Sequence, residues 1–245
     1  MAEEEYIPSV AVAALDVLGV KKLVAKADEC RLALRVLSRF VRNATESRMY
    51  AVPTAKGAFE STHAVDAYLG DAVYLFGDPA LDIRTQVLRL AVRVATLIWF
   101  GLQGDERFLL RAGIAVGDVR RRVLSTGRGS LDVRIGTAMV AAHELEASQC
   151  WVGGAIDQSA PIDDEIGHWA IDCSVPRHTG ATNARALNWI TKGQDRSGLE
   201  RALRDAVSTI GLSADSQRKL ENTLSFVDHV YRRGLFAPFE FDLEA

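Results

Sequence analysis

The chain has 245 residues, enough for one large or two small domains with a sizeable buried core. Hydrophobic residues make up 48% of it and charged residues 25%, which is ordinary for a folded globular protein and argues against disorder. The net charge of −3 gives no support to a nucleic-acid-binding surface.

Cysteine usage and apolar runs indicate the cellular setting. Cys30, Cys150 and Cys173 show no CxxC spacing and are typical of reduced thiols in a cytosolic protein. The N-terminus is acidic and no cleavable signal follows it. The most apolar run, residues 92–102, contains Arg93 and is too short to span a bilayer. We therefore expect a cytoplasmic protein with no membrane or nucleic-acid partner.

The first third of the chain alternates short apolar runs with one helical pattern. Residues 9–15 predict a buried strand that ends at Asp16, and residues 21–43 have helical spacing. Residues 48–53 predict a short edge strand because of Pro53, followed by a loop over 54–62. Two β-rich runs within residues 65–76 flank Gly70-Asp71 and predict a hairpin.

The middle of the chain continues the mixture of helices and strands. Asp82 is expected to cap a helix, and residues 109–119 predict a strand in which Gly113 and Gly117 allow close backbone approach. The Gly-rich segment 126–130 leads through residues 131–136 to a helix ending near residue 148. A further strand is predicted over 150–154, and residues 161–182 have loop-like composition.

The C-terminal part predicts a helical hairpin. Ser197 and Glu200 form a capping-box pattern, and Gly211 is placed to end the first helix. The second helix begins near Ser213 and ends before Gly234. The whole pattern indicates an α+β or α/β fold with an appended helical hairpin.

Asp16 and Asp71 are candidate metal ligands because both are predicted to lie on rigid β-structure. Each follows or joins β-rich runs, and a carboxylate on such an element suits a metal ligand. The alternative for Asp71 is that it only makes a turn.

Four motifs in order resemble those of class III nucleotidyl cyclases. They are Leu15-Asp-Val-Leu-Gly19, Leu69-Gly-Asp-Ala-Val-Tyr74, Arg111-Ala-Gly-Ile-Ala-Val-Gly-Asp-Val119, and Gly136 followed by the helix that carries Ala141-Ala-His-Glu-Leu-Glu146. The resemblance implies an α+β fold with a ferredoxin-like βαββαβ catalytic core over residues 1–190, and the helical hairpin of residues 191–245 packed on the same domain. It also implies a homodimer with active sites at the subunit interface.

By this resemblance Asp16 and Asp71 bind two divalent cations, Mn²⁺ or Mg²⁺, with the Val17 carbonyl as a further ligand. Closing a 3′-hydroxyl onto its own α-phosphate needs a nucleophile of lowered pKa and neutralised phosphate charge, which two such cations supply. Oxygen-only ligands suit these hard ions rather than zinc. Gly19 is expected to keep side chains away from the triphosphate.

Basic residues near these motifs are candidates for phosphate binding. Arg120, Arg121 and Arg122 can pair with phosphate oxygens, or they form a solvated strand end. Lys21 and Lys22 open the first predicted helix, where they meet either a phosphate or the solvent.

Two positions on the last helix of the motif set depart from the family. The places of the transition-state Asn and Arg hold Val140 and Glu144. Either His143 or the arginine run replaces them, or the enzyme is slow or inactive.

The base-selecting positions also depart from adenylate cyclases. Ala67 stands where their lysine would be, whereas Asp132 matches the base-reading acid, and Tyr50 and Tyr68 are aromatic candidates for narrowing the pocket. These changes resemble the pyrimidine cyclases of bacterial Pycsar antiphage systems, whose messenger activates a separate effector that the cyclase does not bind directly.

The base remains the open point of this resemblance. We favour UTP because uracil N3–H can donate to Asp132, although the cytosine N4 amine of CTP can donate as well. The implied product is 3′,5′-cyclic UMP. Cytidylate or adenylate cyclase activity, or an inactive cyclase-fold binding or dimerisation module, are the alternatives.

Overall fold

The computed structural model of the chain describes residues 4–25, 30–46, 52–54, 57–59, 65–69, 72–105, 107–126, 129–178, 184–211 and 213–238. None of the helices within these ranges has the length and apolarity needed to cross a bilayer.

A mixed sheet with helices on both faces forms the molecule. Its strands are β1 (Glu4–Val17), β4 (Val65–Leu69), β5 (Ala72–Phe76), β6 (Leu110–Thr126), β7 (Gly129–Ile135), β8 (Gly153–Asp157), β9 (Ala170–Ile171) and β10 (Ala184–Leu187), with β2 (Val52–Thr54) and β3 (Gly57–Phe59) forming a separate two-stranded sheet. The helices are α1 (Val20–Val24), α2 (Cys30–Glu46), α3 (Ile83–Gly101), α4 (Thr137–Ser148), α5 (Asp164–Gly167), α6 (Arg196–Ile210) and α7 (Ala214–Arg233).

Strand β1 lies inside the sheet, and its apolar run is buried on both faces. It pairs antiparallel with β5 on one side and β6 on the other, giving the order β4-β5-β1-β6-β8-β10-β9, while β7 pairs with the far half of β6. Ala11, Ala13 and Leu15 face the main core, whereas Val12 and Ala14 face a smaller core beneath α4. The first four strands in this sheet order, β4-β5-β1-β6, have the ferredoxin-like arrangement. The predicted fold class is therefore confirmed.

Helix α4 lies directly on β6 because two glycines remove the side chains between them. A Cβ on Gly117 would come within 2.6 Å of the Thr137 hydroxyl, and one on Gly113 within 2.7 Å of the Glu146 amide. The close approach predicted for both glycines is confirmed. It brings Glu146 of α4 against the strand that faces Asp16.

The C-terminal hairpin of α6 and α7 packs on the main core. The predicted stripe of Leu199, Leu203, Ala206 and Ile210 is buried, and the Val152 amide donates to Thr223 of α7 at 2.8 Å. Gly211 ends α6 with φ +97°, as predicted.

Two predictions for the first part of the chain are wrong in detail. The helical pattern of residues 21–43 forms two helices, α1 and α2, rather than one. The predicted loop of residues 54–62 contains strand β3, which pairs with β2 through Val52 and Phe59.

Three predictions for the later part also change. Strand β8 begins at Gly153, so the predicted strand is displaced towards the C-terminus, and residues 161–182 contain α5 and β9. Helix α6 is capped by Asp195, whose side chain accepts a hydrogen bond from the Gly198 amide, so the Ser197–Glu200 capping box is wrong. Asp195 and Ser197 are both favourable N-cap residues by type, and only the path of the backbone decides which one caps the helix.

Candidate active site

Asp16 lies near the C-terminal end of β1, between two antiparallel neighbours. It is in register with Ala72 of β5 and with Arg111 of β6. Its side chain is 23% exposed, so the carboxylate is at the surface of the sheet rather than in the core. Asp71 lies outside the described residues, and its chain neighbour Ala72 is the residue that pairs with Asp16.

Arg111 bridges Asp16 and a buried glutamate. Its Nη2 atom is 3.4 Å from Asp16 Oδ2, and its Nε–H donates to Glu146 Oε1. The side chains of Arg111 and Glu146 are only 12% and 4% exposed. Nη1 donates to the Gln149 carbonyl at 3.1 Å, which fixes the guanidinium plane. The three charges therefore form one part-buried network in which Arg111 orients the Asp16 carboxylate.

Sequence reasoning gave Arg111 and Glu146 no role in the site. Both belong to the motifs of the family resemblance, but their contact depends on the register of β6 against β1 and on the close approach of α4 to β6. His143, a candidate for replacing a transition-state residue, is 55% exposed with Nδ1 3.7 Å from Glu146 Oε2. Val140 and Glu144 are exposed on α4.

The turn after β1 leads from Asp16 into α1. Val17 is buried, and the Leu18 amide donates to the Leu109 carbonyl at 2.9 Å. Gly19 adopts φ +89°, and its carbonyl accepts from the Lys22 amide at 3.0 Å to begin α1. The backbone here adopts a left-handed conformation that favours glycine, which explains the residue at this position.

The C-terminal hairpin covers this turn. Ile210 packs directly on Gly19, and a Cβ on that glycine would come within 3.0 Å of Ile210 Cβ. Lys22 Nζ donates to the hydroxyls of Ser213 at 2.6 Å and Ser216 at 3.4 Å. Beside them is a cavity of about 60 Å³. The proposed triphosphate turn is thus in contact with the hairpin, which the sequence did not indicate. The structure does not describe the side chain of Lys21.

The arginine run lies at the other end of β1 from Asp16. Arg121 is in register with Glu5, whereas Arg111 is in register with Asp16. Arg120 Nη1 donates to Glu4 at 2.6 Å, with its guanidinium 5.2 Å from the Tyr6 ring centroid. Arg122 is exposed. Within one subunit, the structure does not bring this run together with Asp16.

Asp132 is held by two arginines on the β6–β7 hairpin. Its carboxylate accepts from Arg121 Nε at 3.0 Å and from Arg134 Nη2 at 2.9 Å. Partial burial works against ionisation, but hydrogen bonds and charge from Arg134 and Arg121 outweigh it and lower the pKa of Asp132. Asp132 is therefore a carboxylate acceptor at neutral pH.

The structure describes the remaining predicted residues in part or not at all. Tyr50 lies outside the described residues. Ala67 pairs with Tyr74 in the ladder between β4 and β5, but its side chain and that of Tyr68 are not described.

The chain resembles known proteins in structure, although no match is found by sequence. No family model matches the chain, and no curated protein matches it. Solved structures do match, and eight of them are adenylyl or guanylyl cyclases. The chain has the fold of a nucleotidyl cyclase catalytic domain.

Three of these structures show the extent of the likeness. Adenylyl cyclase CyaB from P. aeruginosa aligns with a TM-score of 0.57 and 11% identity, over 79% of this chain and 100% of that one. The non-canonical dimeric guanylyl cyclase domain of the RhoGC fusion protein from the aquatic fungus Blastocladiella emersonii aligns with a TM-score of 0.55 and 14% identity, over 75% of this chain and 97% of that one. The guanylate cyclase domain of RhGC from Catenaria anguillulae, in complex with GTP, aligns with a TM-score of 0.54 and 14% identity, over 75% of this chain and 98% of that one. The cyclase fold is thus shared at sequence identities that establish the fold alone.

Proposed function

We propose that the chain is a homodimeric nucleotidyl cyclase that converts UTP to 3′,5′-cyclic UMP and pyrophosphate. The observation that supports this most strongly is the position of Asp16 within a cyclase fold. Its backbone register with Ala72 puts the residue following Asp71 beside it, on the adjacent strand. Asp71, which precedes Ala72 in the chain, is the second acid in this proposal, because two-metal phosphoryl chemistry uses a pair of carboxylates.

The residues fit a pair of hard divalent cations, Mn²⁺ or Mg²⁺. Asp16, Asp71 and the Val17 carbonyl offer oxygen ligands only, and Asp16 is partly exposed at the strand end. Bound there, the cations supply a lowered pKa at the 3′-hydroxyl and neutralise charge on the phosphates. The 3′-oxygen then bonds to the α-phosphorus as the bond to pyrophosphate breaks, and the hydroxyl proton passes to solvent.

Arg111 is the group that prepares Asp16 for this task. With Nε on Glu146 and Nη1 on the Gln149 carbonyl, its guanidinium is fixed and holds Asp16 Oδ2 at 3.4 Å. A long ion pair of this kind orients the carboxylate without neutralising it fully. Arg111 is accordingly a positioning residue.

A second copy of the chain completes the site in this proposal. Within one subunit Arg120, Arg121 and Asp132 lie towards the other end of β1 from Asp16, so a two-fold dimer is the simplest way to bring them to the triphosphate and base. Since Asp132 has a lowered pKa, it stays an acceptor for the uracil N3–H. The cytosine N4 amine offers the same donor, so CTP is the nearest alternative substrate.

The remaining parts of the proposal concern organisation and role. Residues 1–190 form the catalytic domain and residues 191–245 the helical extension. The cyclic nucleotide acts as a second messenger in antiphage defence and activates a separate effector.

Mixing two inactive variants tests the shared site. Asp16→Ala removes a metal acid and Asp132→Ala removes the base contact, so each homodimer should lose activity. A random mixture should regain roughly a quarter of wild-type activity, because half the dimers then have one intact site. The matched control is a mixture of Asp16→Ala with Asp71→Ala, which should stay inactive because both acids belong to the same half-site. No recovery in the first mixture, or recovery in the control, contradicts the proposed arrangement.

A second candidate function is a cyclase-fold binding module without turnover. The contact of Ile210 with Gly19 favours it, because this side chain lies where the triphosphate turn would be approached. Such a module would bind nucleoside triphosphates in equilibrium dialysis and release them unchanged after prolonged incubation with Mn²⁺. Formation of pyrophosphate would exclude it.

A further inference from the structure

Three side chains of metal-binding types meet outside the Asp16 network. Cys150 follows α4, His178 follows β9, and Asp215 lies in the first turn of α7. The Cys150 sulfur, a His178 ring nitrogen and an Asp215 carboxylate oxygen all lie within 4.8 Å of one another. No short sequence motif links them, since each comes from a different part of the fold.

The backbone around Cys150 and His178 is well fixed. The Cys150 amide donates to the Pro176 carbonyl at 2.8 Å, and the His178 amide donates to the Ser148 carbonyl at 3.0 Å. The Cys150 carbonyl accepts from Asn222 of α7 at 2.6 Å. Two potential ligands are therefore held in place by backbone hydrogen bonds, and α7 presents the third.

The donor set has a clear chemical preference. One thiolate, one imidazole and one carboxylate suit Zn²⁺ or a similar transition-metal ion, and not the hard Mg²⁺. Tetrahedral bonds of about 2.0–2.3 Å place neighbouring ligand atoms roughly 3.5 Å apart, so side-chain rotation of about 1 Å closes the present arrangement. His178 is exposed, which leaves an entry path and a fourth position for water.

Two cationic side chains compete for the same groups. Arg218 Nη2 is 3.0 Å from Asp215 Oδ1 and 3.3 Å from His178 Nδ1, and Lys219 Nζ is 2.7 Å from Asp215 Oδ2. The Arg218 side chain is 56% exposed and can move into solvent. These cations hold the cluster together without a metal and weaken the binding of one, as expected for a reversible site rather than a permanent structural one.

We propose that Cys150, His178 and Asp215 bind a transition-metal ion of the Zn²⁺ class, which fastens the first turn of α7 to the core. That turn also holds Ser216, which with Ser213 contacts Lys22, and it lies beside the Ile210–Gly19 contact. The metal thus locks the C-terminal hairpin on the turn after β1 and regulates access to it. Binding releases the Cys150 thiol proton.

Cobalt titration of the full chain tests the site directly. We expect one equivalent of Co²⁺ to produce a thiolate-to-cobalt charge-transfer band, which Zn²⁺ abolishes by displacement and excess Mg²⁺ leaves intact. Cys150→Ser should lose the band, whereas Cys173→Ser, the matched control, should retain it. Absence of the band in the wild type, or its persistence in Cys150→Ser, overturns the proposal.

Further variants separate metal binding from folding defects. Asp215→Asn and His178→Gln should weaken Co²⁺ binding while the far-ultraviolet circular dichroism spectrum is unchanged. Arg218→Ala should bind roughly fivefold more tightly because a competing positive charge is removed. Unchanged affinity in all three variants overturns the assignment of ligands.

Hydrogen exchange tests the fastening of the hairpin. Adding Zn²⁺ should slow amide exchange in α7 in the wild type and in Cys173→Ser, and not in Cys150→Ser. Equal slowing in Cys150→Ser contradicts the site. All these readouts are independent of nucleotide turnover, so they hold or fail separately from the proposed cyclase activity.

Discussion

Replacing Arg111 by Met should destabilise the protein strongly, because it removes the guanidinium that pairs with buried Glu146. Glu146 is 4% exposed and Arg111 12%, so solvent screens the pair little. Removing one partner of a buried ion pair costs about 3–5 kcal/mol. We therefore expect a loss of about 3–5 kcal/mol in the free energy of unfolding at pH 8.

The cost should depend on pH in a defined direction. Without Arg111, the Glu146 carboxylate is desolvated and takes up a proton more readily in the folded state than in the unfolded one. Stability is then retained at low pH and lost as pH rises, so the difference from wild type should be smaller at pH 5 than at pH 8.

Urea denaturation followed by circular dichroism at both pH values measures this. Arg122→Met on the same strand is the matched control, since Arg122 is exposed and its loss should cost under about 0.5 kcal/mol. The double variant Arg111→Met/Glu146→Leu should recover most of the loss, because replacing both partners removes the uncompensated charge. Equal costs for Arg111→Met and Arg122→Met, or a larger cost at pH 5, would refute the reasoning.

Three further predictions concern stability. Gly19→Ala, at φ +89° and against Ile210, should cost about 1–3 kcal/mol, and combination with Ile210→Ala should be less than additive; strict additivity would contradict the contact. Gly117→Ala should cost about 1–3 kcal/mol by pushing α4 off β6, while Gly167→Ala, with nothing within 4 Å, should be nearly neutral; similar costs would argue against the close packing. Hydrogen bonds from the side chain and amide of Thr85 lower the pKa of Asp82. Asp82→Ala should therefore cost about 1 kcal/mol of unfolding free energy at pH 7, and this cost should disappear as pH falls below about 4. A pH-independent cost measured by urea denaturation would be inconsistent with this cap.

The sequence predicted features that depend on local pattern. Three local patterns are found where expected. The apolar run before Asp16 forms a buried strand, the glycines of β6 allow close backbone approach, and the apolar stripe of α6 is a buried helix face. The family resemblance in four motifs predicted the fold, which the solved cyclase structures confirm despite identities of 10–14%.

Features that depend on register and long-range packing could not be predicted in this way. Arg111 meets Glu146 only because β6 aligns with β1 and α4 lies on glycine. The same holds for Ile210 on Gly19, which joins residues far apart in the chain. Arg121 shows the opposite case. It follows a motif closely in sequence, yet it pairs with Glu5 and Asp132, towards the far end of β1 from Asp16.

Product analysis is the most direct measurement of the central proposal. Purified protein is incubated with Mn²⁺ and each of the four nucleoside triphosphates, and the products are identified by mass spectrometry beside Asp16→Ala. We expect 3′,5′-cyclic UMP and pyrophosphate in equal amounts from UTP, and neither from the variant. Cyclic nucleotide output that is the same in Asp16→Ala, or no cyclic nucleotide from any of the four substrates, would contradict the account.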